Sequence, residues 1–341
     1  MKTKSLFILL IAFIAFISCK KEKAKTPDVY IAGYQYNDNG HAVAKYWKNG
    51  IAVTLSDSTH DELAISIFVV GNDVYVLGVS YESTKLIVKY WKNGVATYLT
   101  DGTFRAYADK ITVVNNNVYI SGSTSEGVNS KAVYWKNGVI NNLTDGTFSA
   151  TATSIFVKNN DVYVSGYKYA ANGHKVAMYW KNDMAFVTSL STDYASAEDI
   201  FVKGDSVFTV GYLQIGTGIN KATYWLNNTS NSIINDESYA NKISFVGNDM
   251  YACGGRSNAS GDDIIVYWKN GVEYPLENPT NVQMKTNDMF LLGSDVYIAG
   301  NEWDVDQPSL ASYWKNGKLY NLTTDYTYEH RARANGIFVV E

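Results

Sequence analysis

Four carboxylates recur at matching places along this chain: Asp109, Glu198, Asp199 and Asp288, with Asn241, Asn287 and Asn335 in corresponding positions of other segments. Each stands just before the apolar part of a short strand-like run. Carboxylates gathered from separate segments are what acid–base chemistry on a glycosidic bond needs, provided their surroundings drive their pKa values apart. Which of them pair is not written in the sequence, and a water-filled polar rim is the simpler expectation. Metal chemistry has a thinner basis. His60 and His330 each precede an alanine of such a run by four residues (Ala64 and Ala334), with Asp61, Glu62 and Glu329 close by. Two imidazoles and a carboxylate can hold zinc, but there is no HxH or HExxH spacing, and the acidic groups around Asp262 and Asp304 carry no EF-hand pattern. No metal or cofactor is expected. Aromatic residues offer a third chemistry. Trp303 stands beside Glu302, Asp304 and Asp306, and Tyr36, Tyr169, Tyr212 and Tyr328 lie in comparable segments. Rings next to acidic and amide groups suit the apolar faces and hydroxyl edges of sugars, or a peptide. Gly-x-Ser-x-Gly, P-loop and dinucleotide fingerprints are absent.

What positions these residues is a phrase repeated seven times, a Tyr-Trp pair usually followed by Lys-Asn-Gly. Its tryptophans are Trp47, Trp91, Trp135, Trp180, Trp225, Trp268 and Trp314, spaced by 44, 44, 45, 45, 43 and 46 residues. A strand-rich repeat of about 40–50 residues predicts a β-propeller with one blade per repeat. In the unit 64–100, Ile67-Phe68-Val69-Val70 is a strand, Gly71-Asn72-Asp73 a tight turn and Val74 to Gly78 the return. A third strand runs from Leu86 to Trp91, and Asn93-Gly94 turns into a fourth ending near Leu99. The phrase changes twice, to Asn182-Asp183 and to Leu226-Asn227-Asn228. Neighbouring strand residues point to opposite faces, so blade-to-blade packing explains both aromatics of the pair better than a row of binding platforms.

The fold class expected is therefore all-β, a seven-bladed propeller of four-stranded blades. Residues 28–33 read as the second strand of a unit and residues 336–340 as a first strand. The C-terminal strand should then complete the N-terminal blade and close the ring. Units begin near 64, 108, 152, 197, 240 and 286. The tight turns emerge on one face and the variable loops on the other, near 34–41, 80–85, 123–130, 167–174, 212–220, 255–262 and 301–308. All four histidines, Trp303 and the loop tyrosines fall on the variable face, where function on a rigid scaffold usually sits.

The N-terminal residues bear on location. Lys2 and Lys4 precede an apolar run from Leu6 to Ile17, too short to span a bilayer and typical of a secretory leader. Phe16-Ile17-Ser18-Cys19 resembles a bacterial lipobox, which implies a signal peptide over 1–18, acylation of Cys19 and a tether over 19–27 ahead of the propeller at 28–341. Lys20 after the cysteine implies the outer membrane, since Asp there retains enteric lipoproteins at the inner one. Cys253 is the one other cysteine, so the domain holds no internal disulfide and relies on its core. Without Lys2 and Lys4, 27 basic against 33 acidic side chains give −6, which argues against a nucleic-acid partner. Contact with the membrane is expected through the lipid anchor only, as no second stretch is long enough to span. As a whole the chain resembles the lipid-anchored, repeat-built propellers of Gram-negative envelopes. That resemblance implies a non-catalytic binding or scaffolding module for a glycan or an envelope or host protein. A carbohydrate-active hydrolase or lyase and a structural subunit of an envelope complex are the alternatives.

Overall fold

A tight turn opening on asparagine joins the third and fourth strands of every blade, and seven sheets of four antiparallel strands form the protein. The computed structural model describes residues 26–83, 85–214, 216, 218–257, 263–279, 282–304, 307–324, 327 and 330–341, with the backbone alone at 263, 303, 304, 307 and 308. Blade 2 is representative, with strands Asp61–Val70, Asp73–Glu82, Lys85–Lys92 and Val95–Tyr98 in spatial order from the channel to the rim. Blade 1 is composite. Its inner strand is the C-terminal Ala332–Val340, paired antiparallel with Asp28–Tyr36, so the ring closes as the ends of the sequence imply.

The repeated phrase is accounted for by contacts made within and between blades. The seven tryptophans of the phrase are buried. Trp47, Trp91, Trp135 and Trp314 lie against a glycine of the second strand: a Cβ on Gly78 would sit 2.5 Å from Cζ3 of Trp91 and 2.3 Å from the Leu63 carbonyl oxygen. The Asn-Gly pair takes left-handed backbone, φ 52° at Asn49 and 81° at Gly50, as a tight hairpin requires. Asn49 Oδ1 then accepts the Val29 N–H at 2.8 Å, while its Nδ2 donates to Asp28. Lys48 pairs with the same aspartate at 3.0 Å and lies over the Tyr30 ring. The same staple recurs with Lys92/Asp73, Lys181/Asp161, Lys269/Asp249 and Lys315/Asp295. In blade 5, Leu226 and Ser206 replace the charged partners, yet Asn227 still accepts the Val207 N–H at 3.0 Å.

The inner strands share an irregularity that shapes the channel. In each, the pairing register shifts at one residue, leaving Ile65, Asp109, Thr153, Glu198, Asn241, Asn287 and Asn335 as β-bulges. A bulge re-aims its side chain and is common beside functional sites. Lower in the channel, Phe68, Phe290 and Phe338 pack together, as do Phe156 and Phe201, with ring centres 4.6–5.1 Å apart.

Candidate functional site

The bulge residues form a ring at the mouth of the central channel, on the variable-loop face. Four of the seven stitch the ring together. Asn241 Nδ2 donates to the Thr286 carbonyl at 2.7 Å, Asn287 to Ala334 at 2.8 Å, Asn335 to Ala64 at 2.8 Å, and Thr153 Oγ1 to Ala197 at 2.6 Å. In every case the acceptor is the inner strand of the next blade, at the residue before its own bulge. Ile65, Asp109 and Glu198 make no such bond: Ile65 is apolar, and an ionised carboxylate has no hydrogen to give.

Except in blade 1, where it is Gly336, the residue after the bulge contributes its side chain to a deeper layer. There Lys110 Nζ reaches from blade 3 across to Asp288 of blade 7, 3.0 and 3.1 Å from its two oxygens. Lys242 lies 3.9 Å from both Asp288 and Asp199. Asp199 accepts from Ser154 Oγ at 2.6 Å and the Ile243 N–H at 3.0 Å, and Asp288 accepts the Ile337 N–H at 3.1 Å. Burial opposes the charge of Asp288, but Lys110 and Lys242 hold it below the usual carboxylate range. Burial likewise opposes the Lys242 charge, and Asp199 and Asp288 more than compensate, leaving its pKa raised. The four candidate carboxylates therefore separate. Asp199 and Asp288 belong to a saturated, charge-balanced floor that crosses the channel, while Asp109 and Glu198 stand above it.

The cavity over this floor measures about 420 Å³ and includes Tyr34, Leu63, Asp109, Glu198, Lys285 and Arg333 in its walls. Asp109 is flanked by the channel walls, but its carboxyl is exposed to the solvent of the lumen. Burial, then the Glu198 charge, push that carboxyl up to about 7, against a smaller pull from Lys242. Among the described residues, Asp109, Glu198, Arg333 and Lys285 make no ion pair within 4.0 Å.

Asp109→Asn should stabilise the protein. An amide there can donate to the Ala152 carbonyl as Asn241, Asn287 and Asn335 do to their neighbours, a gain of about 1 kcal/mol. A carboxyl with a raised folded pKa binds more protons folded than unfolded between about pH 4 and 7, so the wild type loses stability as pH climbs through that window. The advantage of the variant should then be larger at pH 8 than at pH 4. Thermal melts at both values check this, and equal melting temperatures for the two proteins at pH 8 would contradict it.

Tyrosines ring the mouth. Tyr36 carries the Arg331 guanidinium 3.7 Å from its ring centre and meets Tyr34 edge-on. On blades 4 and 5, Tyr169 meets Tyr167 edge-on, Tyr212 stacks with Tyr194 at 6.5 Å, and Lys175 Nζ lies 4.2 Å from the Tyr167 ring centre. Burial, then the Glu198 charge, raise the Tyr212 hydroxyl pKa. The Trp303 side chain, Tyr328 and Cys19 lie outside what is described. The histidines take separate partners: His330 Nε2 meets Asp38 at 2.7 Å, His60 Nδ1 meets Thr59 Oγ1 at 2.7 Å, His41 approaches Asp61 and His174 faces the carbonyls of Thr192 and Asp193. No group of three or more His, Cys, Asp or Glu among the described residues is placed to hold a metal.

Arg333, Lys285, Lys110 and Lys242 were not among the residues that the sequence singles out. A signal for the first was present, because all four arginines (Arg105, Arg256, Arg331 and Arg333) fall at strand ends on the variable-loop face. Two other hollows, of about 540 and 610 Å³, lie between blades 4 and 5 around Phe186, Thr229 and Leu190. On the rim, the exposed apolar residues Ile51, Val95, Val139, Met184 and Val272 open the outermost strands, one to a blade.

No protein-family model and no curated protein matches this chain. Solved structures do. A puromycin-hydrolysing peptidase of Mycobacterium tuberculosis aligns over 88% of this chain and 53% of its own, at 11% identity and a TM-score of 0.60. A prolyl endopeptidase aligns over 91% and 50%, at 10% identity and 0.53. The BP39L lectin of Burkholderia pseudomallei aligns over 86% and 95%, at 12% identity and 0.54. The chain thus spans about half the length of the peptidases, and at these identities the likeness is one of fold.

Proposed function

We infer that this protein is a binding propeller, anchored in the outer membrane through Cys19, that takes a glycan or a peptide segment of a protein into the channel mouth. The observation that carries this reading is the break in the stitching ring. Asp109 and Glu198 forgo hydrogen bonds that the equivalent Asn and Thr residues make, and positions that abandon a stabilising pattern are those a protein keeps for function. The cross-channel floor beneath them makes the mouth a blind pocket, and the tyrosine rim offers flat surfaces at its entrance. A lectin among the structural neighbours keeps glycans in the panel of ligands. A second reading, a glycoside hydrolase or lyase, draws on one observation: Asp109 stays protonated to near neutrality beside Glu198, as an acid catalyst would.

One experiment with two arms separates these. The protein and its Glu198→Gln variant are screened against polysaccharides and peptides, following retention and product release together. Saturable retention without new products, weakened in the variant, supports the binding reading. Steady product release abolished in the variant would replace it with the catalytic one. In cells, labelled palmitate should enter the wild type and not Cys19→Ser; equal labelling would remove the anchor.

A further inference from the structure

The charges of the mouth are sorted by side. Arg333 and Lys285 occupy the same register in neighbouring inner strands, each one residue before the buried position that precedes the bulge, on blades 1 and 7. Asp109 and Glu198 are bulge residues of blades 3 and 5. In a ring of seven, blade 4 stands opposite the junction of blades 7 and 1, so the acidic pair faces the basic pair across the cavity. The floor's two lysines and two aspartates are paired with one another, and only Lys242 lends the acidic wall a partial compensation.

Each wall therefore presents two groups of one sign to the lumen with no ion pair to offset them. A lone anion would relieve Arg333 and Lys285 but be repelled by the far wall, and a lone cation the reverse. A neutral sugar would leave both walls uncompensated. A single ligand carrying both signs can engage both. At about 420 Å³ the cavity belongs to the lower part of the range of small-ligand pockets, roughly 300–1,000 Å³. It takes a short chain rather than a protein surface.

We propose that the mouth recognises a short zwitterionic peptide, its free ammonium seated against Asp109 and Glu198 and its free carboxylate against Arg333 and Lys285. This rests on the binding reading above and names its ligand class. The peptide's two charged ends select for length as well as for free termini, since both must reach their walls at once. The tyrosines at the entrance then contact side chains rather than the charged ends.

Equilibrium dialysis of a randomised tripeptide library tests this, using free-terminus, N-acetylated and C-amidated forms against the protein. Peptides with free termini should be enriched on the protein side, and blocking either end should lower enrichment about tenfold or more, as loss of a charge-assisted contact does. In Asp109→Asn/Glu198→Gln the N-acetylated and free forms should become equivalent. In Arg333→Ala/Lys285→Ala the C-amidated and free forms should. Asp109→Asn also serves as the folding control, since it is expected to melt above the wild type. No peptide enrichment, or enrichment indifferent to one of the blocks, overturns the proposal. Glycan retention at the mouth with no peptide enrichment would overturn it while leaving the binding propeller intact; retention of nothing at all would remove both.

Discussion

Deletion of residues 334–341 is expected to leave a chain that no longer unfolds cooperatively. These residues make up most of the inner strand of blade 1, paired with Asp28–Gly33 on one side. Ala334, Ile337 and Val339 are buried, and Phe338 packs on Phe68 of blade 2 and Phe290 of blade 7. Asn335 donates to the Ala64 carbonyl and the Ile337 N–H to Asp288, so the strand also stitches its neighbours. Each large apolar side chain buried here stabilises by about 1.5–3 kcal/mol. Together with an opened sheet edge, their loss approaches the whole stability of an ordinary domain, about 5–15 kcal/mol. Thermal unfolding followed by circular dichroism reads the outcome. A truncated protein with a sharp transition at the wild-type temperature would show that closure by this strand does not hold the ring.

Lys89→Met is expected to cost about 3–5 kcal/mol, because it strands Glu62 in the interior of blade 2. Lys89 and Glu62 are both buried and pair at 2.7 Å, with Lys89 also lying over the rings of Trp91 and Tyr98. Glu62 Oε2 has no hydrogen-bond partner, so the lysine is the main compensation its charge has. The repeat supplies its own remedy. Blade 4 places Met178 and Ala150 at the two equivalent positions, both buried. The double variant Lys89→Met/Glu62→Ala should therefore recover most of the loss, as replacement of a buried ion pair by packed apolar groups often does. Chemical denaturation of the wild type, the single and the double variant measures this. A single variant within about 1 kcal/mol of wild type would mean that water reaches Glu62 in solution.

Much of the architecture is legible in the residues because every blade must make the same contacts. A tryptophan opposite a glycine, and an asparagine that caps the neighbouring turn, cannot vary without loosening a blade, so they recur at a fixed spacing. The half-strands at the two ends announce ring closure for the same reason. The channel is less legible. Glu198 and Asp199 are adjacent in sequence and read as one acidic cluster, yet a bulge sends the first to the mouth and the second to the floor. Bulges are backbone events of a single residue, and the apolar pattern on either side does not announce them. The bridge from Lys110 to Asp288 joins residues 178 positions apart, and pairing across a ring depends on blade number rather than on any local motif. The basic wall was hidden differently. Arg333 and Lys285 look like ordinary surface cations until the register sets them side by side.

The most direct test of the mouth as the working site is a crystal structure of the protein with the most strongly retained ligand of the screen. Ligand in the blind pocket, in contact with Asp109 or Glu198 and with Arg333 or Lys285, is the expected result. Ligand seated on the rim, on the tight-turn face, or in the hollow between blades 4 and 5 near Phe186, with the channel mouth empty, would contradict it.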